Sequence, residues 1–218
     1  MSWNELHGHA KIVIVGDTGI GKTSMLKRFV NRCFDDKGTI VTIGGAFYLT
    51  KEMKVNVKRG EIVDGTLRLQ ICDTGGREQF KTLDRSFYQE VKLVIVAFAF
   101  GDDESAENSK MWIHEVLNCT QDIPVFLVAN KSDLADEAMR KKTSNRIRDM
   151  SENEEGAAHF FEVSAKSDPK SIDHLFQSAA DEIADLFPEK VILPPGTPGT
   201  GEPQAVGTSD SVSCCTVQ

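Results

Sequence analysis

The sequence lacks several things, and each absence excludes a class of protein. No apolar run approaches the ~20 residues needed to cross a bilayer as a helix. There is no surplus of positive charge: 25 Lys and Arg stand against 33 Asp and Glu, a formal net charge of −8. With no long basic run either, a nucleic-acid-binding surface is not expected. The first sixteen residues, MSWNELHGHAKIVIVG, hold no basic segment leading into an apolar one, so no secretory signal is expected. Cysteines are few, odd in number and unevenly placed: Cys33, Cys72, Cys119, Cys214 and Cys215. That pattern does not build the disulfide framework of a secreted protein, and it points to the cytosol or the cytosolic face of a membrane. The histidines His7, His9, His114, His159 and His174 form no metal-ligating spacing.

What is present is a globular composition, 40% apolar and 27% charged over 218 residues. A chain of this length buries roughly 70% of its unfolded surface in one core. Prolines and glycines crowd residues 188–218, where Pro188, Pro194, Pro195, Pro198 and Pro203 are interspersed with Gly196, Gly199, Gly201 and Gly207. Such a segment cannot bury enough to offset its ordering entropy. The expected organisation is an N-terminal extension over 1–9, one domain over 10–187, and a flexible tail over 188–218.

Within the domain, strand and helix patterns alternate. Lys11–Val15 is a short apolar strand, and Met25, Leu26, Phe29 and Val30 recur at helical spacing over Lys22–Asn31. Ala46–Lys58 and Thr66–Cys72 read as a hairpin whose turn ends at Asp64-Gly65. Leu93–Phe98 and Val125–Ala129 are apolar runs of the kind buried on both faces, with helices around 105–118 and 136–150. Phe160–Val163 is a last strand, and Ile172, Leu175, Phe176, Ala179 and Ile183 trace one face of a closing helix. The expected fold class is α/β: a mainly parallel six-stranded sheet, one antiparallel edge strand, and helices on both faces. Ligands of such sheets bind at the carboxyl ends of the strands.

Four segments fall at those ends. Gly16-Asp17-Thr18-Gly19-Ile20-Gly21-Lys22-Thr23 follows a strand and opens a helix, and it matches GxxxxGK[ST]. Its N–H groups can cradle phosphate oxygens at the helix N-terminus. Lys22 would reach the β- and γ-phosphates, and the Thr23 hydroxyl would bind Mg²⁺. Asp73-Thr74-Gly75-Gly76 offers a carboxylate for Mg²⁺ and an N–H for a γ-phosphate. In Asn130-Lys131-Ser132-Asp133, Asp133 can accept both N–H groups of guanine, a pair adenine does not offer, while Asn130 ties the loop to the phosphate loop and the Lys131 stem covers the base. In Ser164-Ala165-Lys166, a backbone N–H can donate to guanine O6. Any one of these could be an ordinary loop; together, in this order, they describe a guanine-nucleotide site.

On these residues the chain, over about 10–187, resembles the small GTPases of the Ras superfamily, and their Rab branch most. The Rab likeness is carried further by Thr42-Ile43-Gly44-Gly45-Ala46-Phe47, Asp73–Phe80, Ser86-Phe87-Tyr88, Glu104-Ser105-Ala106-Glu107-Asn108 and Cys214-Cys215. The resemblance implies a P-loop GTPase fold and a switch cycling between GDP and GTP. Nucleotide contacts would come from Asp17, Thr18, Gly19, Ile20, Gly21, Lys22, Thr23, Ser24, Phe34, Thr42, Gly76, Asn130, Lys131, Asp133, Ser164, Ala165 and Lys166. Thr23, Thr42 and Asp73 would hold Mg²⁺, and Phe34 would pack across the base. Lys22, Thr42, Gly76 and Arg77 occupy the catalytic positions. Effectors, an exchange factor and a GTPase-activating protein would be its partners.

The chain departs from the family in four places. Phe34 to Thr42 is one residue longer than the family spacing. The segment from Thr42 to Asp73 is several residues longer than in the family, which predicts an extended hairpin at about 57–66. Cys72 stands where Rab proteins carry a tryptophan. The family's Asp-Thr-Ala-Gly-Gln-Glu-Arg-Phe is Asp73-Thr74-Gly75-Gly76-Arg77-Glu78-Gln79-Phe80, so Arg77 replaces the water-orienting Gln. Slow intrinsic hydrolysis is expected, and the alternative is a guanine-nucleotide module controlled by loading alone. A P-loop kinase or ATPase is disfavoured by Asn130–Asp133. Cys214 and Cys215, in a tail without a polybasic patch, are expected to carry lipid, because one chain alone anchors only marginally. The expected location is the cytosol and the cytoplasmic face of intracellular membranes, and the resemblance implies a role in regulating vesicle trafficking, with no nucleic-acid partner.

Overall fold

The computed structural model describes residues 9–35, 47–59, 61–73, 88–120, 123–152 and 157–192. Among the described residues, six strands and four α-helices follow in the order β1 His9–Val15, α1 Lys22–Asn31, β2 Phe47–Arg59, β3 Glu61–Asp73, β4 Val91–Ala99, α2 Asp103–Cys119, β5 Val125–Asn130, α3 Glu137–Glu152, β6 Ala157–Glu162 and α4 Pro169–Leu186. They form one sheet in the order β2-β3-β1-β4-β5-β6. Only the β2–β3 pair is antiparallel. Strand β1 sits where the chain's order reverses, between β3 and β4, and the crevice at its carboxyl end is the topological switch point of an open α/β sheet.

The period-2 alternation of a strand sorts β1 into two faces. Ile12 and Ile14 join Met25, Leu26 and Phe29 of α1 and Ile172, Leu175 and Phe176 of α4 in one core. Val13 and Val15 face the other way, onto Trp112, Ile113 and Val116 of α2. Helices therefore cover both faces, as the apolar β4 and β5 runs require. The Phe29 and Phe176 rings stack at 4.1 Å and join α1 to α4. Each such side chain contributes about 1.5–3 kcal/mol by leaving water.

Two expectations are corrected. The hairpin does not turn at Asp64-Gly65. Arg59 pairs with Glu61, and the ladder runs through Asn56–Asp64 and Val55–Gly65. This register puts Val55 and Gly65 on the buried side with Leu67 and Leu69; a slip of one residue would expose that row. Nor does the folded unit stop at Phe187. Pro188–Lys190 form a 3-10 turn, Val191 is buried, and Ile192 exchanges two 2.9 Å backbone hydrogen bonds with Thr66. Thr66 lies beyond the start of β1, where β3 would otherwise show an open edge, and Val191 has a core to enter. Smaller shifts lie at strand ends, where β1 starts at His9 and β6 at Ala157.

Candidate functional site

The loop after β1 needs glycine for identifiable reasons. Gly16 has φ +135°, and a Cβ there would lie 2.1 Å from the Ala97 carbonyl oxygen of β4. Gly21 has φ +97°, and a Cβ there would lie 2.4 Å from Asn130 Nδ2. Gly21 also begins α1 without a side-chain cap, so the positive end of the helix is left to an anion. Lys22 is buried, and its ammonium donates to the carbonyls of Gly16 (2.6 Å) and Asp17 (2.7 Å). Burial pushes its pKa down to about 8, opposed by the nearby carboxylates of Asp73 and Asp17.

Asp73 ends β3 and is fully buried. Its Oδ2 accepts from the Thr23 hydroxyl at 2.5 Å, whereas Oδ1 is buried with no hydrogen-bond partner among the described residues. Burial pushes its pKa up, partly offset by the Thr23 hydrogen bond and the Lys22 charge. A buried, half-satisfied carboxylate beside a hydroxyl is a hard oxygen donor set, which suits Mg²⁺. The residues present therefore fit the ion.

The base end is wired between loops. Asn130, buried at the end of β5, donates from Nδ2 to the Ile20 carbonyl (2.8 Å) and accepts at Oδ1 from the Ala165 N–H (3.3 Å). Ser132 N–H donates to the Val163 carbonyl. Ser164 donates its hydroxyl to Asp133 Oδ1 at 2.5 Å and accepts from the Ser167 N–H. A cavity opens between these loops, lined by Gly19, Gly21, Ser24, Phe34, Asn130, Lys131, Asp133, Ala165 and Lys166.

The structure thus brings together the phosphate loop, Asp73, the 130–133 loop, the 164–166 turn and Phe34. Thr42, Gly76 and Arg77, and the cysteines Cys214 and Cys215, lie outside the described residues. Asp17 differs from the other loop residues: its carboxylate accepts from Asn108 Nδ2 (2.7 Å) and Trp112 Nε1 (2.8 Å) and so faces α2. The i, i+4 spacing of Asn108 and Trp112 puts both on one helix face, a signal visible in sequence but without an addressee there.

The profile of the Ras family matches residues 11–185. The chain belongs to the Ras family. Within it, this chain is similar to Ras-related protein RabC of Dictyostelium discoideum, 36% identical over 72% of this chain and 74% of that protein. It is similar to GTP-binding protein YPTM2 of Zea mays, at 30% over 94% and 95%, and to GTP-binding protein YPT52 of Saccharomyces cerevisiae, at 28% over 94% and 98%. These identities make it a divergent, Rab-like small GTPase. A small GTPase of this family binds GTP and GDP with Mg²⁺, hydrolyses GTP to GDP, and acts as a switch read by regulators and effectors.

Proposed function

We propose that this Rab-like GTPase regulates vesicle transport and that its switch is slow to turn itself off. The observation that supports the site assignment is the joining of two chemistries in one crevice: Lys22 and the Thr23–Asp73 pair at one end, Asp133 and Ser164 at the other, with Asn130 between. In this reading the 16–23 loop cradles the phosphates and Lys22 binds the β- and γ-phosphates. Thr23, Asp73 and Thr42 hold Mg²⁺, which when bound neutralises phosphate charge. The Gly76 N–H meets the γ-phosphate. Asp133 reads N1–H and the 2-amino group of guanine, the 164–166 turn reads O6, and Phe34 and the Lys131 stem cover the ring. Asp133→Asn presents a donor where the base also donates. GDP should then bind about 10²-fold more weakly, at 1–3 kcal/mol for each lost hydrogen bond. Retained affinity and retained preference for guanine over adenine would overturn the base assignment.

Slow hydrolysis rests on chemistry that Arg77 cannot perform. Gln offers an acceptor for the attacking water and a donor for the phosphate, whereas arginine has donors only. Losing one preorganised group of this kind costs about 10²–10³ in rate. Single-turnover GTP hydrolysis without partner proteins should therefore be slow in the wild type and faster by up to about that factor in Arg77→Gln. Equal rates would remove the proposal. Membrane attachment is assigned to lipid on the adjacent Cys214 and Cys215, which intact-mass measurement of protein from native membranes tests.

A further inference from the structure

Arg28, on the last turns of α1, makes contacts that no nucleotide-binding motif accounts for. Its Nε donates to the Ala165 carbonyl at 2.8 Å, and its Nη2 donates to the Lys166 carbonyl at 3.1 Å. Its Nη1 donates to the Arg32 carbonyl at 3.3 Å, where α1 ends in a left-handed residue. The same guanidinium lies over the Phe34 ring, 5.7 Å from its centre, within cation–π range. One planar cation therefore holds the C-terminus of α1, the aromatic on one wall of the cavity, and the turn on the other.

We propose that Arg28 is a specificity-determining positioning residue: by gripping the carbonyls of Ala165 and Lys166 it aims the turn that recognises the 6-oxo group of guanine. This rests on the assignment of 164–166 made above. The physical reason is peptide geometry. No cis peptide bond occurs among the described residues, so the carbonyl of Ala165 and the N–H of Lys166 point in opposite directions from one rigid plane. Holding the carbonyl from the α1 side directs that N–H away from α1. The Ala165 N–H is held in turn by Asn130, so consecutive planes of the turn are constrained from both sides. Only arginine suits the task. Its donors are spread over a rigid fork that can meet separate carbonyls at once, whereas a lysine ammonium is a single point.

The test uses base analogues bound to the full-length chain. GDP is compared with inosine diphosphate, which lacks the 2-amino group, and with the diphosphate of 2-aminopurine riboside, which lacks the 6-oxo group and with it the N1–H. The N1–H difference is read by Asp133 and is common to wild type and variant, so the change on substitution reports the oxygen. In Arg28→Ala the preference for GDP over the 2-aminopurine analogue should shrink about 10-fold, because the group that read the oxygen is no longer aimed. The preference for GDP over inosine diphosphate should stay within about 2-fold, because Asp133 reads that difference. Arg28→Lys should fall between, with a loss of about 3-fold, and it is decisive alone if the alanine variant does not fold. Parallel loss of both preferences, or loss of neither, would overturn the role of Arg28. A wild type that does not distinguish GDP from the 2-aminopurine analogue would instead remove the assignment of the 164–166 turn, and this inference with it.

Discussion

The two ends of the crevice are built on opposite principles. At the base end the chain's own groups satisfy one another across loops far apart in sequence: Asn130 reaches Ile20 and Ala165, Ser164 reaches Asp133, and Arg28 reaches Ala165 and Lys166. At the phosphate end charges are concentrated and incompletely matched. Lys22 is buried against backbone carbonyls with its pKa pushed down to about 8 by burial, and Asp73 is buried with one oxygen unpartnered among the described residues. Hydrogen bonds already made within the chain give shape, and shape discriminates between bases. Buried charge that lacks a full set of partners costs stability in the folded chain, and an anion and a cation of the right geometry can recover that cost on binding. On the proposed assignment, the first end supplies selectivity and the second supplies affinity.

If that division is real, the ends should respond separately. The largest effect belongs to Lys22→Met, which should weaken both GDP and GTP by about 10²-fold, or about 3 kcal/mol, the scale for removing one partner of a desolvated charge pair. The preference for guanine over adenine should survive, and competition titrations with both bases would measure the two quantities together. A parallel loss of base preference would break the comparison. Gly21→Ala tests the seam between the ends. Its Cβ would collide with Asn130 Nδ2 and its φ is left-handed, a strain of about 1–3 kcal/mol. Affinity and guanine preference should therefore fall together, each by about 10-fold. The smallest effect on binding is expected from ending the chain after Phe187. This removes the buried Val191 and the two hydrogen bonds between Ile192 and Thr66. Urea unfolding of the GDP-bound protein should show a loss of about 1–3 kcal/mol, with nucleotide affinity unchanged. A change in affinity would mean that the first half of β3, far from the site, is coupled to it.

Much of this site is legible without coordinates. Lys22–Asn31 as a helix, and the placing of all the motif segments at strand ends, follow from short-range pattern: 3.6-residue spacing, apolar runs, and glycines at a strand-to-helix turn. What does not follow is whom a polar side chain addresses. Asp17 sits in the phosphate loop by sequence, yet it accepts from Trp112 and Asn108 of α2. Arg28 belongs to none of the motifs, and only the packing of α1 against the 164–166 turn gives it its partners. The hairpin turn departs from the local sequence signal for a related reason. Asp64-Gly65 is a strong local turn signal, but the register that buries Val55, Leu67 and Leu69 outweighs it, and the ladder continues to Arg59 and Glu61.

The sequence by itself determined the α/β class, the order of the elements, membership of the Ras family, and the chemical types gathered for a guanine nucleotide and Mg²⁺. It could do so because each of these depends on residues close together in the chain, where spacing alone decides which face or loop a side chain occupies. The tertiary structure decided the partners: the hydrogen bond from Asn130 to the Ile20 carbonyl 110 residues away, the grip of Arg28 on a turn 137 and 138 residues away, and the return of Ile192 to Thr66. Those contacts depend on how helices and strands pack, since a polar group that loses water must find a partner among whatever neighbours the packing provides.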